Sequence, residues 1–346
     1  MEPLKNAWYV AGFSKDITTT PKKQMVLNQP VVLFRTEAGE AAALDDRCPH
    51  RFAPLHQGKV IGDSIQCPYH GLQFNGHGQC SHNPHGDGKI PAAAKLRRYP
   101  LVERDGLVWI WTGDREPTSD EKPLDLAPFL NADNLTLISG SFRLGADFEL
   151  VLDNLMDLSH AAFLHPTTLA NPDATDTLVF EMQQEGDSVI ANHWLPKSKP
   201  SPQFQPFWTS ASPIGDGRGN IRWSPPSNLQ LDVGFTEVGA KPEDGVYLHV
   251  AHLLTPGAEN ETFYYWVAAR NFCLGDEKIS EIMAAQFTHA FETEDEPMIQ
   301  AVAENMGTND LMSLKPVLLP SDAAAIRVRR IIGQLRDKER SVAAAA

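Results

Sequence analysis

Two short segments each offer one thiol and one imidazole. Cys48-Pro49-His50 is followed, after sixteen residues, by Cys67-Pro68-Tyr69-His70. Two thiolates and two imidazoles can hold a metal, and a structural zinc of the Cys2His2 type is one candidate. Zinc sites usually set Cys beside Cys and His beside His, however, and here each pair is mixed. Mixed pairs suit a two-iron, two-sulfur cluster in which one iron takes both thiolates and the other both imidazoles, so that each loop gives a ligand to each iron. Neutral imidazoles in place of thiolates raise the reduction potential of such a cluster. Pro49, Pro68 and Gly71 predict tight loops whose backbone N–H groups reach the sulfurs. Cys80 lies outside the pattern and reads as a small buried residue.

A second constellation lies in the run Asn154-Leu155-Met156-Asp157-Leu158-Ser159-His160-Ala161-Ala162-Phe163-Leu164-His165. Asp157 and His160 share a face of a helix expected near Asp147–Leu164. On an ideal helix His165 would point about 140° away from His160. Pro166 resolves this, because the residue before a proline avoids the helical region, so the helix ends near His165 and that side chain can swing back. Two imidazoles and one carboxylate form the facial triad of non-haem Fe(II), which leaves positions open for oxygen and substrate. The acidic candidates for the third ligand are Glu292, Glu294, Asp295 and Glu296, in a polar break before Pro297. Asp295 is favoured; Asp157 reads instead as a buried carboxylate hydrogen-bonded to a metal-ligating histidine.

The elements that position these groups fall into two blocks. Strands at 30–35 and 41–45, and a hairpin turning at Asp105-Gly106, predict a small antiparallel β domain over residues 1–115. The Pro-rich, charged stretch 116–127 reads as a linker. A larger domain over 128–340 is predicted to contain a strand near Leu135–Leu144, the histidine-bearing helix, mixed strands from Leu178 to Phe272 broken by a Pro/Gly-rich stretch at 196–220, helices at Glu277–Ala290 and Met298–Met306, and a final helix at Asp322–Leu335. The terminal alanines, 341–346, read as a tail. The expected class is therefore α+β.

Composition narrows the function. The 346 residues carry a formal charge of -14, which argues against nucleic acid or an anionic membrane as partner. No apolar run approaches a bilayer span, and four cysteines are too few for a disulfide scaffold, so a cytoplasmic, reducing setting is expected. Six of the twelve histidines lie between positions 50 and 85, but only His50 and His70 acquire a role; His56, His77, His82 and His85 do not. Gly76-His77-Gly78 and Gly86-Asp87-Gly88 are loop glycines, not a dinucleotide fingerprint. NADH and flavin chemistry is thus expected on a partner. Arg327, Arg329 and Arg330 read as a solvated helix face.

Together these residues resemble the Rieske non-haem iron aromatic-ring oxygenases, and most of all the branch of vanillate and dicamba O-demethylase oxygenase components. The resemblance spans nearly the whole chain through NAWYVA at 6–11, CPHR at 48–51, CPYHGL at 67–72, NLMDLSH at 154–160, His165, ARNF at 269–272 and the Glu294-Asp295 pair. It implies an N-terminal β Rieske domain followed by a catalytic domain of helix-grip type, an antiparallel sheet flanked by helices. It implies Cys48, His50, Cys67 and His70 as ligands of a 2Fe-2S cluster, and His160, His165 and Asp295 as ligands of a mononuclear iron. Asp157 would bridge His160 to the cluster histidine His70 of a neighbouring subunit in a head-to-tail homotrimer.

The implied activity is O2- and NADH-dependent hydroxylation of a methyl or methoxy group on an aromatic acid, with electrons from a reductase bearing flavin and a ferredoxin-type centre. On a methoxy group the product hemiacetal collapses to a phenol and formaldehyde. Hydroxylation of another methyl group or ring, or of an N-methyl or sulfonate-bearing aromatic, is the nearest alternative. A non-enzymatic electron carrier or a zinc protein is more distant, since a carrier needs only the first block. Asn228, Leu231, His252, Met283 and Gln286 are the expected substrate-lining residues. In the dicamba branch an aromatic stands at the position of Gln286 and a polar amide at that of Leu231, which turns the expectation away from dicamba itself.

Overall fold

A computed structural model describes residues 2–170 and 177–345 of the chain. They form two compact units, Glu2–Pro123 with Thr255–Glu259, and Leu124–Leu254 with Asn260–Ala346.

The first unit is antiparallel β. Its strands are β1 (Trp8–Phe13), β2 (Lys22–Val26), β3 (Gln29–Arg35), β4 (Ala41–Asp45), β5 (Lys59–Ile61), β6 (Ser64–Gln66), β7 (Gln73–Asn75), β8 (Cys80–His82), β9 (Leu101–Arg104) and β10 (Leu107–Trp111). They pair as three sheets, β1-β10-β9, β2-β3-β4 and β5-β6-β7-β8. The turn between β9 and β10 places Asp105 at φ 55° and Gly106 at φ 74°, the left-handed pair that a two-residue hairpin requires. Strand β3 is apolar at every position from Val31 to Phe34 because it serves two cores. Val31 and Leu33 pack with Tyr9, Val108 and Ile110. Val32 and Phe34, on the other face, pack with Leu44, Leu55, Phe74 and the thiols of Cys48 and Cys67.

The second unit is a seven-stranded antiparallel sheet covered by helices on one face. Its elements, in order, are α1 (Ala127–Leu130), β11 (Thr136–Leu144), α2 (Phe148–Met156), α3 (Ala161–Leu164), β12 (Val179–Glu185), β13 (Ser188–Ser198), β14 (Gly215–Ser224), β15 (Asn228–Thr236), β16 (Val246–Pro256), β17 (Thr262–Arg270), α4 (Glu277–His289), α5 (Glu296–Met306) and α6 (Ala323–Ala345). The strand order is β11-β17-β16-β15-β14-β13-β12. Alternate strand residues such as Ala191, Ile221, Leu229, Val250 and Trp266 face the helices, where Leu152, Leu155, Met283, Phe287, Val328 and Ile332 meet them in one core.

Four expectations about the elements need correction. The helix expected over 147–164 is interrupted: α2 ends at Met156, Asp157 turns away at φ −123° and ψ 90°, and a short 3-10 turn, Leu158–His160, leads into α3. The two later helices are not separated by a polar break, because Ala290–Asp295 winds as a π-helix joining α4 to α5. Pro297 falls where the π-helix passes into the first turn of α5. The Pro/Gly-rich stretch does not run to 220, because β14 begins at Gly215. Helix α6 does not stop at Leu335 but continues through the alanines to Ala345, as a run of the best helix former permits.

Arg329 is not solvated either. It is buried against α2, donating to Asp153 at 2.6 Å and to Glu149 at 2.8 Å, and Arg336 joins Glu149 from the next turns of α6. Burial pushes the Asp153 carboxyl up to about 6, against the pull of Arg329.

Candidate metal centres and substrate cavity

The two cysteine loops of the first unit are near copies of one another. In each, the cysteine N–H donates to the carbonyl five residues on, Cys48 to Ala53 at 2.9 Å and Cys67 to Leu72 at 2.8 Å. In each, the residue four positions on donates back to the cysteine carbonyl, Phe52 at 2.9 Å and Gly71 at 3.1 Å. That fourth residue is left-handed in both, at φ 58° for Phe52 and +75° for Gly71. Gly71 adopts this conformation freely, whereas Phe52 is held in it, its exposed ring covered by the Arg47 guanidinium at 4.1 Å.

The loops turn both thiols inward and both imidazoles outward. Cys48 and Cys67 are buried, while His50 is exposed and His70 half-buried, with ring centroids 4.5 Å apart. Burial, with the neighbouring Cys67 thiol, pushes the Cys48 thiol up to about 11, although the N–H groups of His50 and Arg51 donate to it. Two buried thiols, with backbone donors on the Cys48 sulfur, facing two accessible imidazoles, form a two-ended donor set that fits a cluster with one thiolate-held and one imidazole-held iron. Of the histidines given no role, His85 meets the His70 carbonyl at 2.7 Å and His56 meets Asp46 at 2.5 Å. Cys80 is half-buried, its thiol directed to the His82 carbonyl.

In the second unit His160, His165 and Asp295 converge, with ligand atoms all within 4.8 Å of one another. The Asp157 carbonyl lies 2.6 Å from His160 Nδ1, and Glu294 Oε2 lies 2.8 Å from His165 Nδ1. Both Nδ1 atoms therefore act as donors, and both Nε2 lone pairs point at Asp295 Oδ1, at 3.6 Å and 3.1 Å. Asn154 donates to the same oxygen at 3.1 Å, and Thr168 donates to Glu294 at 2.8 Å. The π-helix is what aims Glu294 and Asp295 at the histidines in succession. Burial lowers the His160 pKa, and although burial opposes it, the Asp295 and Glu294 carboxylates raise that of His165. Two lone pairs and one buried carboxylate oxygen aimed at a common point fit a metal ion with open positions. Asp157 differs from expectation: its backbone carbonyl, not its carboxylate, meets His160, and its carboxylate accepts from Ser159 N at 2.9 Å.

The segment carrying His160 forms one wall of a cavity of about 310 Å³, lined by Leu158, Ala161, Leu169, His193, Phe204 and Val233 among others. Its floor is β14, where Gly217 and Gly219 face inward; a Cβ at Gly219 would stand 3.0 Å from Leu158 Cδ1. None of the five expected lining residues is among those that line this cavity. Leu231 and His252 do lie on the same sheet face, their registers being Leu231↔Val250 and His252↔Leu229. Asn228 has the opposite parity and faces the other side, donating weakly to Pro225 at 3.4 Å. Met283 is packed into the core and Gln286 is exposed on α4. His252 is wholly buried, its Nδ1 2.6 Å from the Tyr264 hydroxyl, and burial drives its pKa down to about 3. The residue that sequence reasoning missed is His193, a buried wall of the cavity. Its only signal was indirect: the alternating glycines 215, 217 and 219 on the neighbouring strand mark room for something other than a side chain.

Known proteins share this arrangement. Residues 7–100 match the Rieske [2Fe-2S] domain and residues 144–338 the vanillate O-demethylase oxygenase C-terminal domain. The oxygenase component of chloroacetanilide N-alkylformylase from Rhizorhabdus wittichii is 38% identical, over 95% of this chain and 94% of its own. The crystal structure of dicamba monooxygenase bound to 3,6-dichlorosalicylic acid superposes with a TM-score of 0.91 at 34% identity, covering 97% of this chain and 98% of that one. A structure of dicamba monooxygenase with non-haem iron and dicamba gives 0.85 at 31% identity, covering 99% of each.

Proposed function

The chain belongs to the Rieske non-haem iron oxygenases with a vanillate O-demethylase-type C-terminal domain, and from that premise we propose that it removes a methyl group from a methoxylated aromatic substrate, an aromatic acid by the sequence reading. It is the oxygenase component of such a system, with a Rieske 2Fe-2S domain and a non-haem iron site at His160, His165 and Asp295. Cys48 and Cys67 would hold one iron of the cluster, and His50 and His70 the other.

When bound, the two centres supply electrons one at a time and reductive activation of O2. The remaining work is that of the chain. The Asp157 carbonyl and Glu294 fix the histidine tautomers, and Asn154 fixes the rotamer of Asp295, so the open side of the site is constant between turnovers. The apolar walls of the cavity exclude water and hold the methoxy carbon beside the His160 segment. One oxygen atom enters a C–H bond of the methyl group, and the other leaves as water with two electrons and two protons. The hemiacetal then expels formaldehyde and leaves a phenol.

NADH and flavin reside on the partner reductase, which docks at the accessible imidazole edge around His50 and His70. Electrons reach the iron site across a homotrimer contact. Support for this lies in a groove of about 320 Å³ where Asp157 and His160 sit beside Met298, Val302, Val317 and Leu318. Val317 is 90% exposed, and an apolar surface of this kind around a half-buried carboxylate is what a neighbouring subunit would cover.

The observation that carries the reading is the convergence of two imidazole lone pairs and Asp295 beside an apolar cavity in a chain that also bears the paired cluster loops. The test is to screen methoxybenzenes and methoxybenzoates with the metal-loaded protein, a surrogate reductase and NADH. One equivalent of formaldehyde per NADH is expected for at least one substrate; a stable hydroxylated product without formaldehyde would refute demethylation. The 38% identity to an N-alkylformylase component favours a second reading, dealkylation at nitrogen, which N-methylanilines in the same screen would reveal.

A further inference from the structure

His193 stands in β13 opposite Gly219 and is 3% exposed. Its Nδ1 lies 3.0 Å from the Gly219 carbonyl, which can only accept, so Nδ1 carries a proton. Its Nε2 is buried and, among the described residues, has no hydrogen-bond partner. The ring forms part of the wall of the substrate cavity, between β14 glycines that keep the floor open and Phe180, whose ring centroid is 5.2 Å away. Burial lowers its pKa, so the imidazole is neutral and Nε2 is a lone pair, an acceptor. A buried acceptor left without a donor carries a standing penalty, which a bound partner would relieve.

We propose that His193 is a specificity-determining residue that accepts a hydrogen bond from a neutral donor on the substrate, a phenolic O–H or an amide N–H, rather than pairing with a carboxylate. This rests on the demethylase reading for the identity of the cavity but narrows the substrate beyond it. The nearest inward-facing strand positions argue the same way. Gly217, Gly219 and Val233 offer no cation; of the two cations among the lining residues, Arg218 is held by Asp232 through two contacts of 2.9 Å, and Lys199 lies beyond the end of β13 and not on the strand face that carries His193.

Calorimetric titration of the metal-loaded protein under nitrogen, without reductase, tests the proposal with three probes: 3-methoxyphenol, 1,3-dimethoxybenzene and 3-methoxybenzoate. The phenol should bind about tenfold more tightly than its methyl ether, the worth of one buried hydrogen bond. His193→Leu should bring the phenol to the level of the ether and leave the ether and the benzoate unchanged. Equal binding of phenol and ether by the parent, a preference that survives His193→Leu, a loss confined to the benzoate, or no binding by any probe would overturn it. Should His193→Leu fail to fold, the crystal structure of the parent protein with 3-methoxyphenol decides: a phenol oxygen within hydrogen-bond distance of Nε2 supports the proposal, and one placed elsewhere ends it. No turnover enters these readouts, so a chain that binds the phenol through His193 yet releases no formaldehyde would fail as a demethylase and still confirm the acceptor.

Discussion

The cluster loops and the iron triad are built by opposite strategies. Each loop makes its site locally, with the backbone bonds that shape its turn closing within five residues, and the second loop repeats the first. The triad is assembled from afar: Asn154 reaches Asp295 across 141 positions, and the carboxylates arrive on a π-helix rather than in a loop. A local site needs only its own turns to be correct. A dispersed site inherits every constraint of the core that carries it.

The largest effect separates the two outright. Asp295→Ala should lower turnover by at least about 10³-fold and strip the mononuclear iron while the visible spectrum of the cluster persists, because no bond of the loops depends on it. Metal analysis beside the absorption spectrum reads both, and parallel loss of the two metals would erase the contrast. Asp157→Asn should leave both metals bound and slow turnover by roughly 10²-fold, as expected where a carboxylate serves contact between centres and not ligation; unchanged steady-state rates would remove Asp157 from the path.

Arg329→Met tests the inherited constraint. It leaves Asp153 without its partner and Glu149 with Arg336 alone, and should cost about 3–5 kcal/mol of stability, seen in denaturant titration as earlier loss of the iron site than of cluster colour. A smaller dispersed effect is Asn154→Ala, which should weaken iron affinity about 10-fold with little change in folding; a competition titration with a chelator measures it. The smallest effect is on the local side. Phe52→Gly relieves a left-handed residue and loses the Arg47 contact, so stability should move by no more than about 1 kcal/mol and the cluster should remain.

The same contrast explains what the sequence disclosed. Cys48, His50, Cys67 and His70 are readable because ligand, proline and turn residue all lie within one short motif. His160 and His165 are readable because Pro166 announces where the helix ends. Asp295 had to be chosen from four neighbouring acids, and the π-helix that presents it has no composition of its own; Glu-Thr-Glu-Asp reads equally as a polar break. The cavity was least legible. Its walls come from alternate residues of separate strands, so a choice wrong by one position, as at Asn228, lands on the opposite face. His193 stands across from a glycine, but so do Leu195 and Ser198 on the same strand, so pairing alone did not single it out.

Helix α6 sets an order of events during synthesis. The cluster loops are chemically complete once residue 72 has been made, and their turns can close while the rest of the chain is still on the ribosome. The helix that presents Asn154 must wait with Glu149 and Asp153 unneutralised until Arg329 and Arg336 emerge, some 180 positions later. Vectorial translation thus gives the two donor sets different birthdays: the thiol and imidazole loops can close early, whereas the helix that supports the triad gains its buried cations only after Arg329 has been made.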